Sequence, residues 1–198
     1  MSMKILGPLV AIVVVLVVGI GARFLPDLTS TTGGEAAIGG PFTLVDASGQ
    51  TVTEENYEGR YQLFYFGFTY CPDVCPTSLA SLATALDLLP EAALEDIAPI
   101  FVTIDPERDT PELVGEYVGH FHPAFIGLSG SPDQIAEVAK TFRVYYAKVE
   151  DEDGGDYTMD HSSVLYFMDE EGRFLTHFSH GATPEDMAST IKKYLGVS

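Results

Sequence analysis

The sequence predicts an α/β domain, a sandwich built on a mixed β-sheet, preceded by a single N-terminal transmembrane helix. Three observations lead there. Short apolar runs alternate with stretches of helical periodicity through the middle of the chain. A hairpin signal and one last helical stretch close it. At the start, Ile5 to Ala22 is an uncharged apolar stretch of roughly the ~20 residues that cross a bilayer. With 198 residues, 46% of them hydrophobic, the chain has room for one domain with a sizeable core plus an appendage.

Residues 1–25 are expected to form the membrane anchor. The apolar run exceeds the ~7–15 residues of a signal-peptide core and no A-x-A site follows it, so an uncleaved anchor is expected. Lys4 and Arg23 give little charge asymmetry across it, but a long C-terminal domain normally translocates. No Arg-rich, Ser-rich transit segment precedes the span. The expected location is therefore a bacterial inner membrane with the domain in the periplasm, ahead of a mitochondrial intermembrane space. Residues 26–38, rich in small residues and without apolar periodicity, form a flexible linker. The globular domain is placed at 39–198.

Within it, Phe42 to Asp46 and Thr51 to Thr53 flank Ser48-Gly49-Gln50 as a short hairpin. Tyr61 to Phe68, apolar on both faces, is a buried central strand. It feeds directly into a helix with Leu79, Leu82, Leu86 and Leu89 at helical spacing, which begins at Cys75 or Pro76 because proline breaks a helix interior. Ile100 to Ile104 is a second buried strand, Thr110-Pro111 opens a helix to about Phe121, and Phe125 to Leu128 is a third strand. Ser131-Pro132 and Thr183-Pro184 each pair an N-cap oxygen with proline at the first helical position, and Thr183 with Asp186 resembles a capping box. Val144 to Val149 is expected as a strand, and Val164 to Met168 and Phe174 to Phe178 as a hairpin around Asp169-Glu170-Glu171-Gly172. Crossovers favour parallel neighbours while the terminal hairpin must pair antiparallel. A thioredoxin-like layout satisfies this order.

Cys71 and Cys75 are the only cysteines. In an oxidising compartment a structural disulfide is the ordinary expectation. A bridge closing so short a loop removes little unfolded-state entropy, which favours a redox or metal role instead. Their position at a helix N-terminus stabilises thiolate over thiol. Two thiolates suit Cu(I), and a third imidazole donor gives a set that also accepts Cu(II), whereas structural zinc normally takes four protein ligands. The candidate third donor is His161, in Met159-Asp160-His161-Ser162-Ser163 just before an apolar strand. In a thioredoxin-like sheet the loop before that strand lies opposite the cysteines. His120 and His122 form an H-x-H at a helix end, and His177 and His180 flank a strand terminus; ordinary surface or capping roles are expected, with His120 and His122 as the candidate for a secondary copper-loading site.

Three stretches carry a family resemblance: GFTYCPDVCP at Gly67 to Pro76, IDPERDTPE at Ile104 to Glu112, and Asp160-His161-Ser162 followed by VLYFMDEEGRF. Together they resemble the Sco/SenC copper chaperones, which assemble the dinuclear copper centre of cytochrome c oxidase, over about Pro41 to Leu195. The resemblance implies a thioredoxin-like fold and copper, as Cu(I) or Cu(II), held by Cys71, Cys75 and His161. It implies delivery to that site on oxidase subunit II, or reduction of the subunit's cysteines before metallation, and an upstream copper donor. Asp160 would then orient the ligand beside it or tune the site's charge; a loop-capping Asp would explain it equally. In DPERDTPE, charged residues offer a docking patch, though helix-start chemistry accounts for Asp109 and Thr110 as well.

With 29 Asp and Glu against 10 Lys and Arg, the net charge of −19 argues against nucleic acid or an anionic lipid surface as partner. The run Glu150, Asp151, Glu152, Asp153, Gly154, Gly155, Asp156 reads as a solvated loop. A metallochaperone needs no bond-making chemistry, so the chain is not expected to be an enzyme. The alternatives are a thiol-disulfide oxidoreductase, with Cys71 and Cys75 closing a disulfide during turnover, and a copper or redox sensor. Thioredoxin-type enzymes use C-x-x-C where this chain has C-x₃-C.

Overall fold

The computed structural model describes residues 38–150 and 156–197. The expected anchor and nearly all of the expected linker lie outside the described residues, as does part of the acidic run. Among the described residues no helix is long and apolar enough to cross a membrane.

A seven-stranded mixed sheet organises the domain. Its strands are β1 (Thr43–Asp46), β2 (Thr51–Thr53), β3 (Tyr61–Gly67), β4 (Ile97–Thr103), β5 (Ile126–Ser129), β8 (Val164–Met168) and β9 (Phe174–Ser179), in the order β2-β1-β5-β4-β3-β8-β9. β3, β4 and β5 run parallel, while β8 pairs antiparallel with β3 and β9 antiparallel with β8. The remaining strands, β6 (Tyr146–Val149) and β7 (Thr158–His161), pair only with each other. Helices α1 (Val74–Asp87), α2 (Pro111–Gly119), α3 (Pro132–Phe142) and α4 (Pro184–Leu195) fill the connections. This is the expected thioredoxin-like arrangement.

Strand alternation sorts the core into two layers. Phe64 and Phe66 point to one face, where Phe142 of α3 meets them at ring separations of 4.5 and 5.3 Å. Tyr65 and Phe101 point to the other, towards Tyr117 of α2, and Phe167 on that same face meets Tyr194 of α4 at 5.5 Å. The central strands are therefore covered on both sides, which is why β3 and β4 read as continuous apolar runs. Pro99 is tolerated in the central strand β4 because β5 begins opposite Ile100, leaving that position a neighbour on β3 alone.

The helix starts follow their sequence signals. Ser131 and Gln134 form a complete capping box, and Thr110 caps α2 by accepting from the Leu113 N–H. Thr183 accepts from the Asp186 N–H, but Asp186 receives the Thr183 hydroxyl rather than its backbone N–H, so that box is half formed. α1 starts at Val74, slightly ahead of the expected point. Pro76 falls in the first turn, where its missing N–H would have had no intrahelical partner. In the β8–β9 turn Gly172 has φ +72, a conformation open to glycine at no steric cost.

Candidate metal centre

The chain leaves the core at the end of β3, and there Phe68, Thr69 and Tyr70 carry it to Cys71. Thr69 is fixed by Asp109, which accepts from its N–H at 2.9 Å and from its hydroxyl, and also from the Thr103 hydroxyl at 2.6 Å. Asp109 is fully buried, and Ser129 donates to its carbonyl at 2.7 Å. The expectation that Asp109 belongs to helix-start chemistry is therefore corrected: Thr110 does the capping, and Asp109 anchors the cysteine loop to β4. A buried carboxylate needs donors around it, and this loop supplies them.

Cys71 is half-buried and Cys75 buried, and neither is in a disulfide. The first N–H groups of α1 have no helical partner; the Cys75 N–H turns to the Cys71 sulfur at 3.3 Å. A hydrogen bond from the Cys75 side chain, followed by contributions from His161 and the Cys75 and Asp73 backbone, holds the Cys71 thiol well below its ordinary pKa, against the opposing effect of burial. The same Cys71 interaction, then burial, pushes Cys75 up. The one interaction between the two sulfurs thus shifts them in opposite directions, the outer Cys71 down and the inner Cys75 up.

Gly67 makes room for this. A Cβ there would stand 2.8 Å from the Cys75 sulfur, 3.0 Å from the Phe101 ring and 3.1 Å from the Tyr65 ring. Neither ring can retreat through the packed core. Gly67→Ala is expected to destabilise the domain by ~1–3 kcal/mol through overpacking, measured as a lower urea midpoint with unchanged slope. A glycine inside a strand is itself a sequence signal of close approach.

His161 arrives from another direction, at the end of β7. It belongs to a strand rather than to the expected loop, and the β6–β7 hairpin is closed at its base by Ser162 N–H to the Tyr145 carbonyl at 2.9 Å and Tyr145 N–H to the Ser162 hydroxyl at 3.2 Å. The imidazole sits edge-on to Phe68 and Tyr65, with ring separations of 5.9 and 6.4 Å. Its Nδ1 lies 3.1 Å from the Ser162 carbonyl and its Nε2 3.5 Å from the Cys75 sulfur. A carbonyl only accepts, so the Nδ1 bears a proton and the Nε2 is the ring nitrogen turned to the sulfurs. The orienting partner is thus Ser162, not Asp160. Adjacent residues of a strand point to opposite faces, and Asp160 is exposed while His161 is half-buried.

The donor atoms of Cys71, Cys75 and His161 all lie within 4.8 Å of one another. Two metal–ligand bonds of ~2.0–2.3 Å span at most about 4.6 Å, so sub-ångström adjustment brings all three onto one ion. No other such group of three or more occurs among the described residues. Of the other histidines, His120 is the C-cap residue of α2 and the remaining three have local engagements. His122 accepts from the Ala124 N–H at 3.1 Å and lies 3.5 Å from Asp87, His180 meets the Ser78 hydroxyl at 3.0 Å, and His177 stacks on Phe174.

Comparison with known proteins agrees with this construction. The SCO1/SenC family model matches residues 30–196. The chain is 40% identical to a SCO2-like protein of Rickettsia conorii over 96% of this chain and 99% of that one. It is 47% identical to a mitochondrial SCO1 homolog of Arabidopsis thaliana over 81% of this chain, spanning about half (48%) of that relative's length. The crystal structure of Arabidopsis thaliana ScoI with copper bound superposes with a TM-score of 0.76 at 46% identity, covering 81% of this chain and 99% of that chain. A match that runs through both cysteines, the buried Asp109 and the histidine strand leaves one conclusion: the chain belongs to the SCO1/SenC family.

Proposed function

We propose that this chain is a copper metallochaperone that holds one copper ion on Cys71, Cys75 and His161 and passes it to the dinuclear copper site of cytochrome c oxidase subunit II. The observation that carries the reading is the convergence of two sulfurs and one imidazole nitrogen, delivered by two separate segments, into a group only partly covered by protein. Soft thiolates with one imidazole suit Cu(I) and accept Cu(II). Cys71 and His161, both half-buried, leave a side from which a recipient's ligands can enter, so copper moves by ligand exchange and no covalent bond of the chain need break. The Sco/SenC resemblance supports the recipient, an upstream copper donor, and an anchor in the inner membrane that holds the domain in the periplasm.

A second reading rests on the closeness of the two sulfurs, which lie within 4.8 Å of each other. A Cys71 thiolate can attack a partner disulfide, and Cys75, after giving up its proton, can resolve the mixed disulfide. The partner gains two electrons, one proton from Cys75 and a second from water, and Cys71 and Cys75 are left joined. Such a reaction could prepare a recipient's cysteines for metal.

Replacing His161 with alanine separates the two. On the first reading the reduced parent chain carries about one copper, and the variant binds copper at least about tenfold more weakly with an unchanged circular dichroism spectrum. Metal analysis and competition against a chelator measure both. Unchanged copper affinity in the variant, together with insulin reduction that disappears in Cys71→Ala, would favour the reductase.

A further inference from the structure

Among the described residues, the strands of the hairpin that brings His161 pair only with each other and not with the main sheet, so something else must hold its far end against the cysteine loop. That end is Tyr157, immediately before β7. Its carbonyl accepts from Arg108 Nη1 at 2.8 Å, its hydroxyl donates to Asp105 at 2.8 Å, and its ring lies 3.6 Å below the Arg108 guanidinium carbon. Arg108 is fixed from below by Asp105, which is only 3% exposed. The same guanidinium carbon stands 4.9 Å from the ring of Tyr70, the residue next to Cys71. One cation therefore touches both segments that carry metal donors.

We propose that Arg108 is a positioning residue for the metal centre: it clasps the β6–β7 hairpin to the cysteine loop and so sets how readily His161 leaves the ion. The inference rests on the copper site proposed above. A planar guanidinium can stack on one ring while its separate N–H groups reach Asp105 and the Tyr157 carbonyl; an ammonium cannot do all of this at once. Removing Arg108 loosens the hairpin's far end, which keeps only the Tyr157 hydroxyl on Asp105 and the exposed Lys148–Glu107 pair, while Tyr145 and Ser162 still tie its base. The sulfur pair, held by α1 and Asp109, stays in place. Loss of Arg108 should therefore act on the third ligand and not on the thiolates.

The test uses the full-length copper-loaded protein and two readouts: the thiolate-to-Cu(II) absorption and paramagnetic resonance spectra, and the rate at which Cu(I) is lost to bathocuproine disulfonate. Arg108→Ala should lose copper about tenfold faster, the scale expected of a partly desolvated cation–π contact with its hydrogen bonds, and its spectra should move towards those of His161→Ala. Arg108→Lys should recover only part of the difference. In a His161→Ala background, Arg108→Ala should add almost nothing, because the two act through one ligand. Tyr157→Leu should behave as Arg108→Ala does, and decides the matter if Arg108→Ala fails to fold. Parental rates and spectra in the folded variant, or effects of Arg108 and His161 that multiply, would overturn the clasp while leaving the centre intact. A parent chain without copper, or an unaffected His161→Ala, overturns the three-ligand centre and the clasp with it.

Discussion

Oxidising Cys71 and Cys75 to a disulfide is expected to abolish copper binding. Both sulfur donors are consumed in one covalent bond, and His161 alone cannot retain the ion. The loss should far exceed the ~10–100-fold that removal of an outer partner of a ligand costs. The sulfurs already lie within 4.8 Å, and the half-buried outer Cys71 is the one whose pKa is lowered, so a mild disulfide oxidant should close the bond. Intact-mass measurement verifies the loss of two hydrogens, and equilibrium dialysis against copper measures affinity. Reduction should restore binding in full. Tight copper binding by verifiably oxidised protein would contradict the ligand set, and Cys75→Ser, which cannot form the bond, should separate loss of a donor from the covalent constraint.

Replacing Asp109 with alanine should produce the largest loss of stability of any change around the centre, although Asp109 touches no metal donor. Three donors depend on its carboxylate: the Thr69 N–H, the Thr69 hydroxyl and the Thr103 hydroxyl. A buried polar group left unpaired costs ~1–3 kcal/mol. Allowing the hydroxyls to turn to other acceptors leaves a total of about 3 kcal/mol, or a fall in Tm of roughly 6–12 °C for a chain of this size. Asp109→Asn, which keeps one acceptor oxygen, should lose about half as much. Thermal unfolding of the apo protein measures it. Because Thr69 lies two residues before Cys71, copper affinity should fall in parallel; a destabilised variant with parental affinity would show that the loop does not need this anchor.

Much of the architecture was legible in local pattern. The apolar runs at β3 and β4 and the proline-led starts of α2, α3 and α4 are one-dimensional signals, since the periodicity and N-cap chemistry they reflect act over a few residues. The cysteine pair was legible for the same reason. His161 could be placed beside it only through the fold, because 86 residues separate it from Cys75. The residues that escaped the sequence are those whose roles arise from distant contacts. Asp109 looked like one more acidic residue at a helix start, yet its partners are Thr103 and Thr69, the latter 40 positions away. Nothing near Arg108 announces Tyr157, 49 positions on. Ser162 displaced Asp160 as the partner of the imidazole because strand alternation, invisible while that segment was taken for a loop, turns Asp160 outward.

The self-paired β6–β7 hairpin makes the imidazole an interchangeable part. Substitutions between Tyr145 and Ser162 can swap the third donor, retune ion preference or shift the balance between the two copper valences without disturbing the loop and helix that carry the sulfurs. Diversification of the centre and conservation of the scaffold can therefore proceed on separate stretches of the same chain.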